Sequence, residues 1–156
     1  SAAMVRDYNI NDIALMALES MYRGFGFNRV VFFAVKKDGK QMEARFGLGA
    51  DIRNIANKVR FDTIGVRNIF NIALDQEKDL MIENIDEPHL RELIPKSFRH
   101  RIDAPAFVFL PISIEKTCLG AFYADREKSG PPLLEGQYKY LNMLRNKLLL
   151  AIKYQK

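Results

Sequence analysis

The chain has 156 residues, 48% apolar and 28% charged, with 24 basic against 19 acidic side chains for a net charge of +5. That length and balance describe one water-soluble domain around one core, and no apolar run approaches the roughly 20 residues that span a bilayer. The lone cysteine, Cys118, excludes an internal disulfide and points to a reducing, cytoplasmic compartment, while the interleaved charges favour neither nucleic acid nor membrane as a partner.

Ser1-Ala2-Ala3-Met4 lacks the basic and apolar regions of a signal peptide. Residues 1–6 are therefore read as a disordered, tag-derived start, and residues 7–156 as one domain excised from a larger protein. From Asn9 to Arg23, Ile10, Ile13, Ala14, Ala17, Leu18 and Met21 recur at helical steps, and Gly24 and Gly26 end the element. Arg29 to Val35 is β-prone; Asp38-Gly39 is a hairpin turn signal, so Gln41 to Gly47 should return antiparallel. Asp51 can cap a helix through Lys58, its carboxylate accepting first-turn amides. Asn68 to Gln76 reads as a helix, Leu80 to Glu83 as a short strand, Asp86-Glu87-Pro88 as the opening of a helical turn, and Pro95 to Arg101 as another helix. Ala106 to Ile114 and Thr117 to Ala124 form a second hairpin about Glu115-Lys116, and Leu133 to Tyr154 is a long closing helix. Two hairpins exclude an all-parallel sheet, so the fold class is α+β. Both terminal helices should cover one face of an antiparallel sheet and the irregular middle the other.

Little in the chain offers catalytic chemistry. Cys118 has no histidine near it in sequence and reads as a small apolar residue. His89 and His100 are too few for a metal site, so neither a metal nor a cofactor is expected. Gly47-Leu48-Gly49 lacks the rest of a phosphate loop. No enzyme activity is expected.

The aromatic residues are more informative. Phe107, Phe109 and Tyr123 should share one sheet face, and Phe33, Phe46, Phe61 and Phe70 could line the same region. Arg60, Arg67, Arg99 or Arg101 at the mouth of such a pocket would suit a planar or anionic ligand. The plainer reading is that the same rings fill the core, as rings usually do, and both readings stand at this point. On the closing helix Leu134, Leu141, Leu144, Leu148 and Ile152 form a stripe for the sheet. A second stripe, Tyr140, Met143, Leu150 and Tyr154, is expected to meet a second copy or another domain of the parent protein.

Three strings carry a family likeness: Tyr22-Arg23-Gly24-Phe25-Gly26-Phe27-Asn28-Arg29-Val30, Arg45-Phe46-Gly47-Leu48-Gly49, and Phe109-Leu110-Pro111-Ile112 leading to Leu119-Gly120-Ala121-Phe122-Tyr123-Ala124-Asp125. In that order the chain resembles the GAF domain family from about Asp7 to Tyr154, and more narrowly the GAF-like domains that follow an HDOD domain in bacterial signalling proteins. The resemblance implies a sheet of about six antiparallel strands, a ligand pocket on one face and dimerisation through the terminal helices. Cyclic-nucleotide-binding members carry an acidic pair where this chain has Asp62-Thr63-Ile64-Gly65 after Asn57-Lys58 and Phe61. Bilin-binding members place their cysteine in other settings, and members that reduce methionine sulfoxide need several cysteines. What the resemblance implies is therefore a non-catalytic sensory or regulatory domain for an unidentified small ligand. A ligand-free dimerisation or interdomain scaffold is the alternative.

Overall fold

A computed structural model of the protein describes residues 2–65 and 67–154, with side chains from residue 10 onward. Helix α1 (Ala2–Glu19) runs into a π-helical turn (Ser20–Gly24). It begins at Ala2, upstream of the expected Asn9; Ser1 lies outside the described residues. Strands β1 (Arg29–Val35) and β2 (Gln41–Gly49) form the first hairpin, followed by α2 (Ile52–Lys58), β3 (Phe61–Asp62), α3 (Ile69–Gln76) and β4 (Leu80–Ile82). A 3-10 turn (Pro88–Leu90) and α4 (Lys96–Arg101) lead to the second hairpin, β5 (Ala106–Ile114) and β6 (Thr117–Arg126), and α5 (Glu135–Lys153) closes the chain.

The six strands form one antiparallel sheet in the order β3-β2-β1-β6-β5-β4, an α+β architecture as the hairpins require. Two cores flank it. Behind the sheet, Ala14, Ala17, Leu18 and Met21 of α1 and Leu141, Leu144 and Leu148 of α5 pack on Val30, Phe32, Val108, Leu110 and Phe122. In front, α2, α3, the 3-10 turn and α4 pack on Val31, Phe33, Phe107, Phe109 and Tyr123. Because both faces are covered, β5 is buried from Ala106 to Ile112, which explains its nearly continuous apolar run. Pro111 is tolerated there because the β4 pairing stops at Phe109, leaving its missing N–H on an unpaired side. Gly120 is demanded by the centre of the sheet: a Cβ at that position would lie 2.1 Å from the Phe33 carbonyl oxygen.

Local chemistry departs from expectation at the start of α2. Asp51 precedes α2 but sits in the left-handed region (φ 56°), and its carboxylate accepts from the Asn54 side-chain amide at 3.2 Å instead of capping the helix amides. Asn68 does cap α3: its Oδ1 accepts from the Phe70 and Asn71 amides at 2.9 and 3.0 Å. Among the described residues no helix is long and apolar enough to cross a membrane.

Candidate ligand cleft

The front layer opens into a cleft of about 440 Å³ where α2 ends, α3 begins and α4 crosses. Val59, in extended conformation, terminates α2 and turns the chain into β3, whose Phe61 pairs with Met42. This turn delivers Lys58 and Arg60 to one wall, Asn68 at the head of α3 to a second, and Pro95, Ser97 and Arg101 to a third. Phe61 and Phe98 form the floor.

Beneath that floor the rings interlock. Phe61 lies 4.6 Å from Phe70, 4.9 Å from Phe33 and 5.3 Å from Phe109, centroid to centroid. Phe98 meets Phe70 at 4.9 Å, Phe107 at 5.4 Å and Tyr123 edge-on at 5.9 Å. Phe33, Phe70, Phe107, Phe109 and Tyr123 are thus core residues, at most 1% exposed, and the cleft touches this stack only through Phe61 and Phe98. The tilted and edge-on contacts are the arrangements favoured by ring quadrupoles.

Phe46 is the exception among the expected pocket rings. It lies behind the sheet, stacked on Phe32 at 6.2 Å. A bulge at Arg45 is the cause: Phe33 pairs with Ala44 but Phe32 pairs with Phe46, so the extra residue sends Phe46 to the opposite face.

The four arginines also separate. Arg60 donates to the Ala56 and Val59 carbonyls at 2.9 Å each, closing the end of α2, with Glu43 3.9 Å away. Arg101 lines the cleft. Arg99 points elsewhere: it donates to Asp86 Oδ1 at 3.1 Å and to the Ile85 carbonyl, fastening α4 to the loop before the 3-10 turn. Arg67 is exposed and is not among the cleft's lining residues. Among the described residues Lys58 and Arg101 have no ion-pair partner. Three cations therefore surround one acid, Asp62, whose carboxylate already accepts from Gln41 at 3.0 Å. The sequence reading missed Phe98, Lys58 and Asn68. Phe98 alone carried a signal, as the single apolar side chain in the run Lys96–Arg101.

Tyr123 brings polar chemistry into the front core. Its hydroxyl donates to Asp125 Oδ2 at 2.7 Å, and the same carboxylate receives Arg29 from β1. Burial pushes the Tyr123 phenol well above its ordinary value, and the Asp125 charge adds to that shift. Cys118 lies half-buried at the far end of the front face, and burial pushes its thiol up as well. His89 is exposed, 3.4 Å from Glu87, and among the described residues no three His, Cys, Asp or Glu side chains gather as a metal site would require.

On the helical face, Leu141, Leu144 and Leu148 are buried but Leu134 is 68% exposed, since it precedes the first turn of α5. The second stripe does face outward: Tyr140, Met143, Leu150 and Tyr154 are 36 to 62% exposed.

No family model matches the sequence, and no curated protein matches it. Solved structures do. The chain superposes on the GAF domain/HD domain protein from Geobacter sulfurreducens with a TM-score of 0.72 at 11% identity, covering 93% of each chain. It matches the GAF domain of an Acinetobacter phosphoenolpyruvate-protein phosphotransferase with a TM-score of 0.69 at 11% identity, over 94% of this chain and 91% of that one. A methyl-accepting chemotaxis protein, residues 122 to 287, matches with a TM-score of 0.67 at 16% identity, over 92% and 88%. The chain has the fold of a GAF domain.

Proposed function

We propose that the chain is a non-catalytic sensory domain of a bacterial signalling protein, and that it binds a small anion in the cleft between α2, α3 and α4. The observation that carries this reading is a cleft of about 440 Å³ with an aromatic floor and a surplus of cations, Lys58, Arg60 and Arg101 against Asp62. Among the described residues, two of those cations have no acid as partner. Neighbours of the same fold come from a chemotaxis protein and a phosphotransferase, which supports a place in signalling. A cytoplasmic setting, an HDOD domain upstream, and pairing of the exposed α5 stripe with a second copy or another domain complete the proposal.

The test is thermal unfolding in the presence of inorganic phosphate, mononucleotides and small carboxylates. A ligand at a hundredfold excess over its Kd should raise Tm by about 5 °C or more. The rise should vanish in the Lys58→Gln, Arg101→Gln double variant. Failure of all three anion classes, or stabilisation that survives both substitutions, would remove the cleft as the site.

A second reading has its own support. The ring stack leaves the sheet-side core filled, which suits a ligand-free scaffold that acts by pairing. The anion screen separates the readings: both expect pairing through that stripe, which sedimentation of the wild type against Met143→Glu, Leu150→Glu checks, but only the first expects an anion to stabilise the fold.

A further inference from the structure

The cleft and the closing helix lie on opposite faces of the sheet, yet one continuous segment joins them. Asn68 lines the cleft and caps α3. The eight residues of α3 end at Gln76, and the next, Glu77, is held in the left-handed region (φ 53°), with its amide bonded back to Ala73 and Leu74; the Lys78 amide returns to Ala73 as well. The next residue is Asp79, and its carboxylate is taken by α5. Arg145 Nη1 lies 2.6 Å from Oδ1 and Nη2 2.9 Å from Oδ2, a two-pronged contact, and the Tyr138 hydroxyl donates to Oδ2. Arg145 also donates to the Pro111 carbonyl at 3.1 Å, beyond the end of β4 where that strand face is unpaired.

We propose that Asp79, gripped by Arg145 and Tyr138, is the coupling point through which the state of the cleft reaches α5. The proposal rests on the reading of the cleft as the sensory site, although its test uses no ligand. The physical argument has three parts. A hydrogen-bonded helix of eight residues is about 12 Å long and does not compress, so a displacement at Asn68 is passed to Glu77 and not absorbed within α3. The pair at its far end is 16 and 11% exposed, so releasing either partner would strand a largely desolvated charge. Arg145 follows directly on Leu144, in the stripe that fixes α5 to the sheet, so a moved Asp79 carries α5 with it. Coupling of this kind requires that the Asp79–Arg145 contact have a formed and a released arrangement which both ends bias.

Hydrogen exchange on the full chain tests this with Asn68→Ala, which loosens α3 at the cleft. Rates are normalised to β6 amides, which report global opening. In the wild-type background, the substitution should raise exchange across residues 141–149 of α5 at least about threefold. In Asp79→Asn and in Tyr138→Phe, a milder break of the same contact, the response should fall away. An α5 that ignores Asn68→Ala while α3 loosens, or one that responds equally in the broken backgrounds, overturns the proposal. A denaturation cycle between Asn68→Ala and Arg145→Met adds a second measure. Sites this separate should be additive, and coupling demands that they are not. Failure of the anion screen would leave these outcomes intact, and the reverse holds too.

Discussion

Arg29 and Asp125 sit directly opposite each other in the β1–β6 ladder, with Nη2 2.9 Å from Oδ2. Both are buried, at 8 and 0% exposure, and Tyr123 supplies the carboxylate with a further hydrogen bond. Asp125 responds to opposing forces: burial pushes its carboxyl up, while Arg29 and the Tyr123 hydroxyl pull it down.

Removing one partner leaves the other charged and dry. Asp125→Ala should therefore cost about 3–5 kcal/mol in denaturant unfolding. Replacing both, as Arg29→Met with Asp125→Leu, should recover a large part of that loss. A double variant as unstable as the sum of the singles would mean that the pair is not what those singles remove.

The turn between β5 and β6 carries avoidable strain. Glu115 and Lys116 both have positive φ, 49° and 68°, in a two-residue loop where Ile114 pairs with Thr117. Such turns favour Asn-Gly, because a side chain in the left-handed region costs energy. Glu115→Asn with Lys116→Gly should stabilise the domain by about 1 kcal/mol, raising Tm by about 2–4 °C. An unchanged or lower Tm would contradict the turn assignment.

Cys118 provides a pH signature. Burial holds the folded thiol above its ordinary 9.0, the backbone at Gly120 offsetting only part of the effect. The unfolded thiol ionises first, so the contribution of Cys118 is fully present below 9.0 and lost as pH rises through the folded value. Wild-type stability should thus fall more steeply than that of Cys118→Val over this alkaline range, measured as denaturant midpoint against pH. Parallel curves would show the thiol to be as free as in the unfolded chain.

The hairpins and end helices were legible because their periods extend over many residues. Val30, Phe32 and Val31, Phe33 alternate between the two cores, and Ala14, Leu18 and Met21 mark one side of α1. The two residues of β3 carry no period, and that strand went unread. Phe46 was misplaced because a bulge at Arg45 reverses the faces beyond it, and nothing in Glu43-Ala44-Arg45-Phe46 announces the extra residue. Arg99 looked available for a ligand because its acid, Asp86, lies 13 positions upstream, across the 3-10 turn. The cleft was legible only through Arg60, Phe61 and Arg101. Asp79 and Arg145, 66 positions apart, became partners only once the chain had folded.

The middle of the sheet is built from the two ends of the chain. β1 and β6 are neighbours although their facing residues, Arg29 and Asp125, are 96 positions apart. During synthesis the first hairpin must wait, one long side unpaired, until nearly the whole domain has left the ribosome. Chains truncated before β6 would present that bare β1 flank to each other, so premature termination should yield aggregates and no smaller folded fragment.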